Sequence, residues 1–247
     1  INIVIPMAGA GSRFAKAGYK NPKPFIDVLG KPMICHVLDN LNIPDAKFIL
    51  LTRFEHYNNE QETVKWIKSN YKVEFVMIDK LTEGAACTVL HAHRLINNDT
   101  PLLIANSDQI VDMDISEYIN DSKKRGLDGS VLCFEDNDKK WSYAKLDKNR
   151  FITEIREKEV ISKNATVGIY YFNKGRDFVE NAIDMIVRNE RVNNEFYVAP
   201  VYNYAINQGK KFGIYTIGKT QMHGTGTPED LDKYIETVKE QQGALVL

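Results

Sequence analysis

Short apolar runs alternate with longer stretches of helical period through the first half of the chain. Runs of six residues or fewer at Ile3–Ile5, Lys47–Thr52, Val73–Ile78 and Leu102–Ala105 predict strands. Between them, apolar positions recur at helical spacing over Pro32–Asn42, His56–Asn70 and Glu83–Asn97. Strands separated by helices predict βαβ units and a mostly parallel sheet in an α/β fold. After Asp114 the rhythm changes. Gly129–Phe134, Tyr143–Leu146, Phe151–Ile155 and Val167–Phe172 follow one another as antiparallel strands do. Helical stretches near Gly175–Arg188 and Glu195–Gln208 come next, then a strand at Phe212–Ile217. Thr227-Pro228-Glu229-Asp230 opens a last helix with a capping hydroxyl, a proline at the first position and an acid three residues after the cap. Leu231, Tyr234, Ile235 and Val238 form its apolar face. No repeat or Gly/Ser/Pro linker interrupts the pattern. The expectation is one domain over 1–247: a nucleotide-type sheet over 1–114, a more antiparallel lobe over 115–220 for a second ligand, and a C-terminal loop and helix over 221–247.

Composition narrows the classes. A chain of 247 residues buries roughly three quarters of its unfolded surface, enough for a core without staples. The 32 Lys and Arg balance 33 Asp and Glu, a net charge of -1, without the basic excess of a nucleic-acid or membrane-surface protein. The longest apolar runs, such as Phe48 to Leu51, fall far short of the ~20 residues that span a bilayer. The opening Ile1-Asn2-Ile3-Val4-Ile5 reads as a first strand rather than a leader. Cys35, Cys87 and Cys133 form no C-x-x-C pair, so reduced core thiols in a cytoplasmic protein are expected.

The chemistry begins directly after the first strand. Ala8, Gly9, Ala10 and Gly11, followed by Ser12, let backbone N–H groups approach an anion closely, at the strand end where α/β sheets bind ligands. The loop is neither a dinucleotide fingerprint, since Phe14 stands where a third small residue belongs, nor a Walker A loop, since no Gly-Lys-Ser/Thr exists. It carries instead two cations, Arg13 and Lys23, with Pro22 and Pro24 fixing the direction of Lys23. That arrangement suits the high charge of a triphosphate.

Pro6-Met7-Ala8-Gly9-Ala10-Gly11-Ser12-Arg13-Phe14, Pro22-Lys23-Pro24 and Gly30-Lys31-Pro32-Met33-Ile34 together resemble the signature of the sugar-phosphate nucleotidyltransferases. Thr82-Glu83-Gly84-Ala85-Ala86, Ser107-Asp108, Glu157-Lys158 and Gly226-Thr227-Pro228-Glu229-Asp230-Leu231 extend the resemblance, in order, through most of the chain. It implies a Rossmann-like fold of GT-A type, a mixed, mostly parallel sheet flanked by helices with a smaller antiparallel acceptor-binding lobe. It also implies Mg²⁺, an NTP and a phosphorylated small-molecule acceptor as partners, and pyrophosphate as product. By the same resemblance, Ala8 to Arg13, Lys23, Asp79, Glu83, Gly84 and Ser107 hold the nucleotide, and Asp108 holds the metal. Glu157, Lys158, Gly168, Asn194, Glu195 and Tyr197 are the acceptor-site candidates, and Arg13, Lys23 and Lys158 are the catalytic ones. One position departs. Where the family places a second metal carboxylate this chain has Gly224, with His223 beside it as a possible substitute.

Base and acceptor are less sharply marked. Relatives that use uridine or thymidine nucleotides often carry Gln where this chain has Asp79. A carboxylate only accepts hydrogen bonds, which suits the amine of cytosine and opposes the O4 of uracil, so CTP is favoured. The compact chain is similar to the shorter cytidylyltransferases, including the CTP:phosphoglutamine cytidylyltransferase type of capsule biosynthesis. Two rival readings stay open: a GT-A glycosyltransferase using Asp112 and Asp114 for metal, and a nucleotide-binding module that lost catalysis with the acid at 224. Asp112-Met113-Asp114 is otherwise expected to start the following helix. His91 and His93, two apart on a helix, cannot chelate together. Trp66, Trp141 and Tyr170-Tyr171-Phe172 are expected in the core. Oligomeric state, a homo-oligomer included, is left open.

Overall fold

The computed structural model describes residues 1–244. Strand β1 (Asn2–Pro6) leads to a short helix α1 (Ser12–Lys16), a single 3-10 turn at Lys23–Phe25 and a small ribbon of β2 (Asp27–Val28) and β3 (Lys31–Pro32). Helix α2 (Met33–Asn40), β4 (Lys47–Arg53), α3 (Phe54–Asn59), α4 (Gln61–Asn70) and β5 (Val73–Ile78) follow. Two short helices, α5 (Ala85–Leu90) and α6 (His93–Ile96), precede β6 (Leu102–Ala105), β7 (Gln109–Val111) and α7 (Ile115–Lys124). Then come β8 (Gly129–Glu135), β9 (Ser142–Leu146), β10 (Ile152–Glu157), β11 (Asn164–Phe172), α8 (Gly175–Val187), α9 (Val201–Asn207), β12 (Phe212–Ile217), β13 (Met222–Gly224) and α10 (Pro228–Ala244).

Nine strands share one mixed sheet. β1 lies between β4 and β6, parallel to both, and β5 lies parallel beyond β4. β11 runs antiparallel to β6, and on its other edge β8 carries β12 in parallel. The β9–β10 hairpin joins the first half of β11 at Ala165–Tyr143. This is the expected Rossmann-like architecture, a parallel half continued by a largely antiparallel one.

Alternation along the parallel strands builds two apolar layers. Val4, Ile49, Leu51 and Ile104 face Val89 of α5 and Phe178 of α8. Ile3, Ile5, Leu50 and Leu103 face Val37 and Leu38 of α2 and Tyr118 of α7. Both faces of these strands are therefore covered, which is why they read as near-continuous apolar runs.

Long helices predicted from periodicity are broken in the fold. The 56–70 stretch divides at Glu60, whose φ of -113° and ψ of 37° leave the helical region. The 83–97 stretch begins only at Ala85, because Gly84 adopts φ +131°, and it divides again at Ala92. The 195–208 stretch is helical only from Val201. Pro200 biases Ala199 away from the helical region, and the residues before it form a loop with Asn193 and Asn194 at positive φ. Trp66 also departs from expectation: it is 44% exposed, since Val64 and Ile67 take the buried face of α4. Trp141 packs partly buried against the core, and Tyr170, Tyr171 and Phe172 are buried. The three cysteines are free thiols, and burial pushes Cys35 up to about 12 and raises Cys87 and Cys133. Among the described residues no helix is long and apolar enough to cross a membrane.

Helix α10 returns to the start of the chain. Its Leu231 is buried with Phe14 of α1, Ile26, Val28 and Met33. The Thr227 hydroxyl accepts the Asp230 N–H at 3.1 Å and donates to the Asp230 carboxylate at 2.9 Å, capping the helix as the sequence predicts. Thr227→Ala should lower the unfolding free energy by about 1 kcal/mol, read as a lower urea midpoint with unchanged slope; an unchanged midpoint would mean that the cap contributes nothing.

Candidate active site

The loop leaving β1 starts with the Met7 N–H still paired to the Leu51 carbonyl at 2.9 Å, so its first residues continue the sheet. It then turns sharply at Gly11, in the left-handed region at φ +60°. Lys23 packs against this turn, its Cβ lying 3.6 Å from where a Gly11 side chain would start. Because β6 adjoins β1 in parallel, the loop after β6 emerges beside this one. It brings Asp108, whose carboxylate pairs with the Lys23 ammonium. The strap after β13 completes the group: the Thr225 N–H donates to the Asp108 carbonyl at 2.8 Å, and Gly226 lies against the carboxylate.

Three cavities converge on Asp108. The first, about 310 Å³, holds Gly9, Gly11, Ser12, Arg13, Lys23 and Ser107 on its walls. The second, about 440 Å³, runs along Ala8, Ala10, Thr82, Gly84, Thr88 and Glu195. The third, about 760 Å³, opens toward Arg13, Lys158, Lys219, His223, Gly224 and Lys233. Shared walls make them lobes of one cleft at the carboxyl ends of β1 and β6, where α/β sheets bind ligands. The predicted loop residues, Ala8 to Arg13 with Lys23, Ser107 and Asp108, thus gather in one place.

Asp79 and Glu83 stand apart. Both are exposed, and neither lines a lobe of the cleft. Glu83 is turned instead toward Arg191, which donates to it at 2.9 Å. The side of the second lobe where those two residues were expected is formed by Thr82 and Thr88, whose hydroxyls meet at 2.6 Å while Thr88 also donates to the Gly84 carbonyl at 3.2 Å.

On the other lobe, Lys158 follows β10 in the left-handed region and donates to the Tyr197 hydroxyl at 2.9 Å, with the ammonium 5.0 Å from the ring centre. That bond holds Lys158 above the usual lysine range. Glu157 accepts the Ser142 hydroxyl, and burial raises its carboxyl against the opposing pull of that bond and of Lys158. Glu195 reaches the second lobe. Asn194 does not line the cleft; its carbonyl accepts from Arg191 at 3.3 Å. Gly168, at φ +95°, sits at an irregularity in β11 where any Cβ would collide with the Asn106 side chain. It admits Asn106, which itself lines the second lobe.

Asp108 is suited to a hard cation. A side chain at 226 would begin 2.9 Å from its Oδ2, the oxygen that the Lys23 ammonium engages, so the glycine is what lets the strap lie against that pair; Mg²⁺ needs only one or two carboxylates when phosphate oxygens complete its shell. Among the described residues no group of three His, Cys, Asp or Glu is arranged around a metal. Gly224 lies opposite Gln109 in the β13–β7 pair, with no acid in its place. The His223 ring lines the third lobe and meets the Asp112 carboxylate at 2.7 Å. Asp114 caps α7 by accepting the Ser116 N–H at 2.9 Å, as expected of a helix start. His91 is exposed, and His93 contacts the Leu90 carbonyl at 2.9 Å.

Sequence reading missed Thr82 and Thr88 as cleft walls, along with Gln109, Trp141 and the Asp136–Lys219 pair. Asp136 is bonded by Lys219 at 2.6 Å and by the N–H groups of Asn137 and Asp138 at 2.7 and 2.8 Å, and these bonds hold its carboxyl at about 2. The Asp136-Asn137-Asp138 turn was a readable signal; its lysine partner, 83 residues later by the numbering, was not.

Comparison with known proteins follows the same outline. Residues 3–241 match a family model described as nucleotidyl transferase. The bifunctional protein GlmU of Methanococcus vannielii is 27% identical over 222 residues, covering 87% of this chain and 50% of that protein. The chain thus spans about half the length of the curated relatives it matches. A solved nucleoside-diphosphate-sugar pyrophosphorylase from Vibrio cholerae superposes with TM-score 0.80 at 25% identity, over 95% of this chain and 99% of that one. A UDP-glucose pyrophosphorylase solved with UDP-glucose shares the fold, with TM-score 0.79 at 17% identity over 97% and 98% of the two chains.

The Asp136 pair predicts an acid dependence of stability. In the fold this carboxyl keeps its charge down to about 2, whereas an unfolded aspartate protonates at about 4. The pair therefore stabilises the protein above that range, and its contribution is lost as pH falls from about 4 toward about 2. In matched melts Asp136→Asn should lie below the wild type at about pH 6 and converge with it near about pH 2; a constant gap across the range would overturn the assignment.

Proposed function

This chain belongs to the nucleotidyl transferase family, and from that premise we propose that it joins a nucleoside triphosphate, CTP in our reading, to a phosphorylated small molecule and releases pyrophosphate. The observation that carries the reading is the Lys23–Asp108 pair beside Arg13, set where the three lobes of the cleft meet. A cation pinned by an acid inside a glycine turn is poised for phosphate rather than for a neutral ligand.

In this reading an acceptor phosphate oxygen attacks the α-phosphorus of the nucleotide. The bond from that phosphorus to the bridging oxygen breaks, and pyrophosphate leaves with the electron pair. Arg13 holds the departing β- and γ-phosphates, Lys23 neutralises charge at the α-phosphate, and Lys158 holds the acceptor phosphate. Asp108 is the residue that would hold Mg²⁺, whose chemistry is charge neutralisation on the phosphate oxygens. Catalysis is then positioning and electrostatics, with no covalent enzyme intermediate.

The proposal of CTP rests on the chemistry of Asp79 as an acceptor-only group and not on its placement: it is exposed just after β5 and lines no lobe of the cleft, whose wall begins two residues on at Leu81. The acceptor class we favour is a sugar 1-phosphate or an amino-acid-derived phosphate such as phosphoglutamine, the kind of group that surface-polysaccharide or capsule synthesis activates. Support comes from Glu157 and Lys158, a hydrogen-bonding acid next to a cation that lines the third lobe.

Pyrophosphate release should be scanned over CTP, UTP, dTTP, ATP and GTP with phosphorylated sugars, amino-acid derivatives and choline phosphate. The expected result is release with CTP preferred by about tenfold or more, roughly one well-made hydrogen-bond difference. A preference for another base removes the CTP reading, and nucleoside diphosphate release from a sugar nucleotide removes the reaction itself. Arg13→Ala and Lys23→Ala should each lower turnover by about 100-fold or more with melting temperature held within a few degrees. Near-normal turnover in both would sink their assignment.

A further inference from the structure

Residues 189–197 connect the two sides of the cleft, and their contacts go beyond what loop closure requires. Arg191 donates to the Glu83 carboxylate at 2.9 Å, to the Asn189 side chain at 2.6 Å and to the Asn194 carbonyl at 3.3 Å, while its guanidinium lies 4.2 Å from the centre of the Phe196 ring. The Phe196 backbone then pairs with the nucleotide-side turn on both sides: its N–H donates to the Glu83 carbonyl at 2.8 Å, and its carbonyl accepts the Ala86 N–H at 3.0 Å. Gly84 lies so close beneath that a Cβ there would meet the Phe196 nitrogen at 2.6 Å. The next residue, Tyr197, holds Lys158 through its hydroxyl.

We propose that this segment is a mechanical strap in which Arg191 and Phe196 lock residues 189–197 to the 83–86 turn and Tyr197 positions the Lys158 ammonium, so that occupancy of the nucleoside lobe is transmitted to the acceptor lysine. The linkage is short. Thr82, Gly84 and Ala85 line the nucleoside lobe, one backbone pairing joins that turn to Phe196, and a single peptide joins Phe196 to Tyr197. A ligand that shifts the turn must move Phe196 with it, because Gly84 and the Phe196 backbone are in contact and leave no slack between them. Within residues 189–197 the Val192–Glu195 bridge closes only on itself, and besides the turn the segment is anchored at its start, where Glu190 is bonded by Tyr204 and Met185, and at the buried Phe196 ring. Tyr197 and Arg191 are therefore positioning residues, acting through Lys158. The consequence for the reaction rests on Lys158 being the acceptor-phosphate lysine, but the positioning itself does not.

The test reads Lys158 directly, by residue-resolved acylation with acetic anhydride and mass spectrometry across a pH series, so no acceptor need be known. In Tyr197→Phe, Lys158 loses one hydrogen bond to its charged form and should acylate about three- to tenfold faster at a given pH below its pKa, with the melting temperature unchanged. Other lysines serve as internal controls. In the wild type, addition of CTP, UTP, dTTP, ATP or GTP, with binding of each followed by calorimetry, should alter Lys158 reactivity for whichever nucleotide binds. In Arg191→Met the same nucleotide should bind and leave Lys158 unaltered, and Arg191→Lys should restore part of the response. An unchanged Lys158 in Tyr197→Phe overturns the positioning role. A nucleotide response that is missing in the wild type, or that persists in Arg191→Met as direct shielding would, overturns the coupling. If none of the five nucleotides binds, the proposed reaction fails and coupling to it fails with it, whereas the Tyr197 result stands by itself. If Lys158→Ala keeps the acceptor KM of the wild type, only the acceptor-phosphate reading is lost.

Discussion

The parallel placement of β1 between β4 and β6 is the constraint on which the cleft depends. Parallel neighbours end at the same edge of the sheet, so the loops after β1 and β6 must leave side by side. That adjacency sets Lys23, delivered by the first loop, against Asp108, delivered by the second, although they lie far apart in sequence. The ion pair follows from the strand order more than from any attraction between the two residues. A partly exposed pair of this kind contributes little stability on its own, and the buried layers on both faces of the sheet supply the rigidity that holds it in place.

The antiparallel half is attached at the same point. β11 adjoins β6, and the Asn106 N–H bonds to the Gly168 carbonyl at 3.0 Å just where the β6 loop begins. The lobe that carries Glu157 and Lys158 is thereby registered against the glycine loop after β1 by the sheet itself. α10 closes the arrangement from the other direction, with Leu231 seated against Phe14 and the strap at Thr225–Gly226 lying on Asp108. The stretch after β1, the loop after β6 and the strap before α10 all meet at Asp108, so damage to any of them should be felt at the cleft.

Glycine does two different jobs around this site. At Gly11 it permits a left-handed turn against which Lys23 packs. At Gly84 and Gly168 the decisive factor is close approach: Phe196 backbone in one case and the Asn106 side chain in the other occupy the space a Cβ would take. The sequence shows the same letter in each case. Only the neighbours, more than sixty residues away for Gly168 and more than a hundred for Gly84, distinguish them.

Much was legible in the sequence where the governing physics is short-range. Buried parallel strands declared themselves as apolar runs, the cap of α10 as Thr-Pro-Glu-Asp, and the cleft-lining loop as small residues after a strand with Arg13 and Lys23 beside it. Residues governed by partners distant in sequence were not legible. Glu83 turned out to face Arg191, Gly168 to accommodate Asn106, His223 to engage Asp112, and Asp136 to pair with Lys219. Helices broke at Glu60 and Ala92, where the backbone leaves the helical region, and α9 starts only after Pro200, although the apolar periodicity ran on. Periodicity and propensity describe what a segment can bury and how its backbone can turn. Which side chain meets which is settled by strand order and register, and these exist only once the sheet has formed.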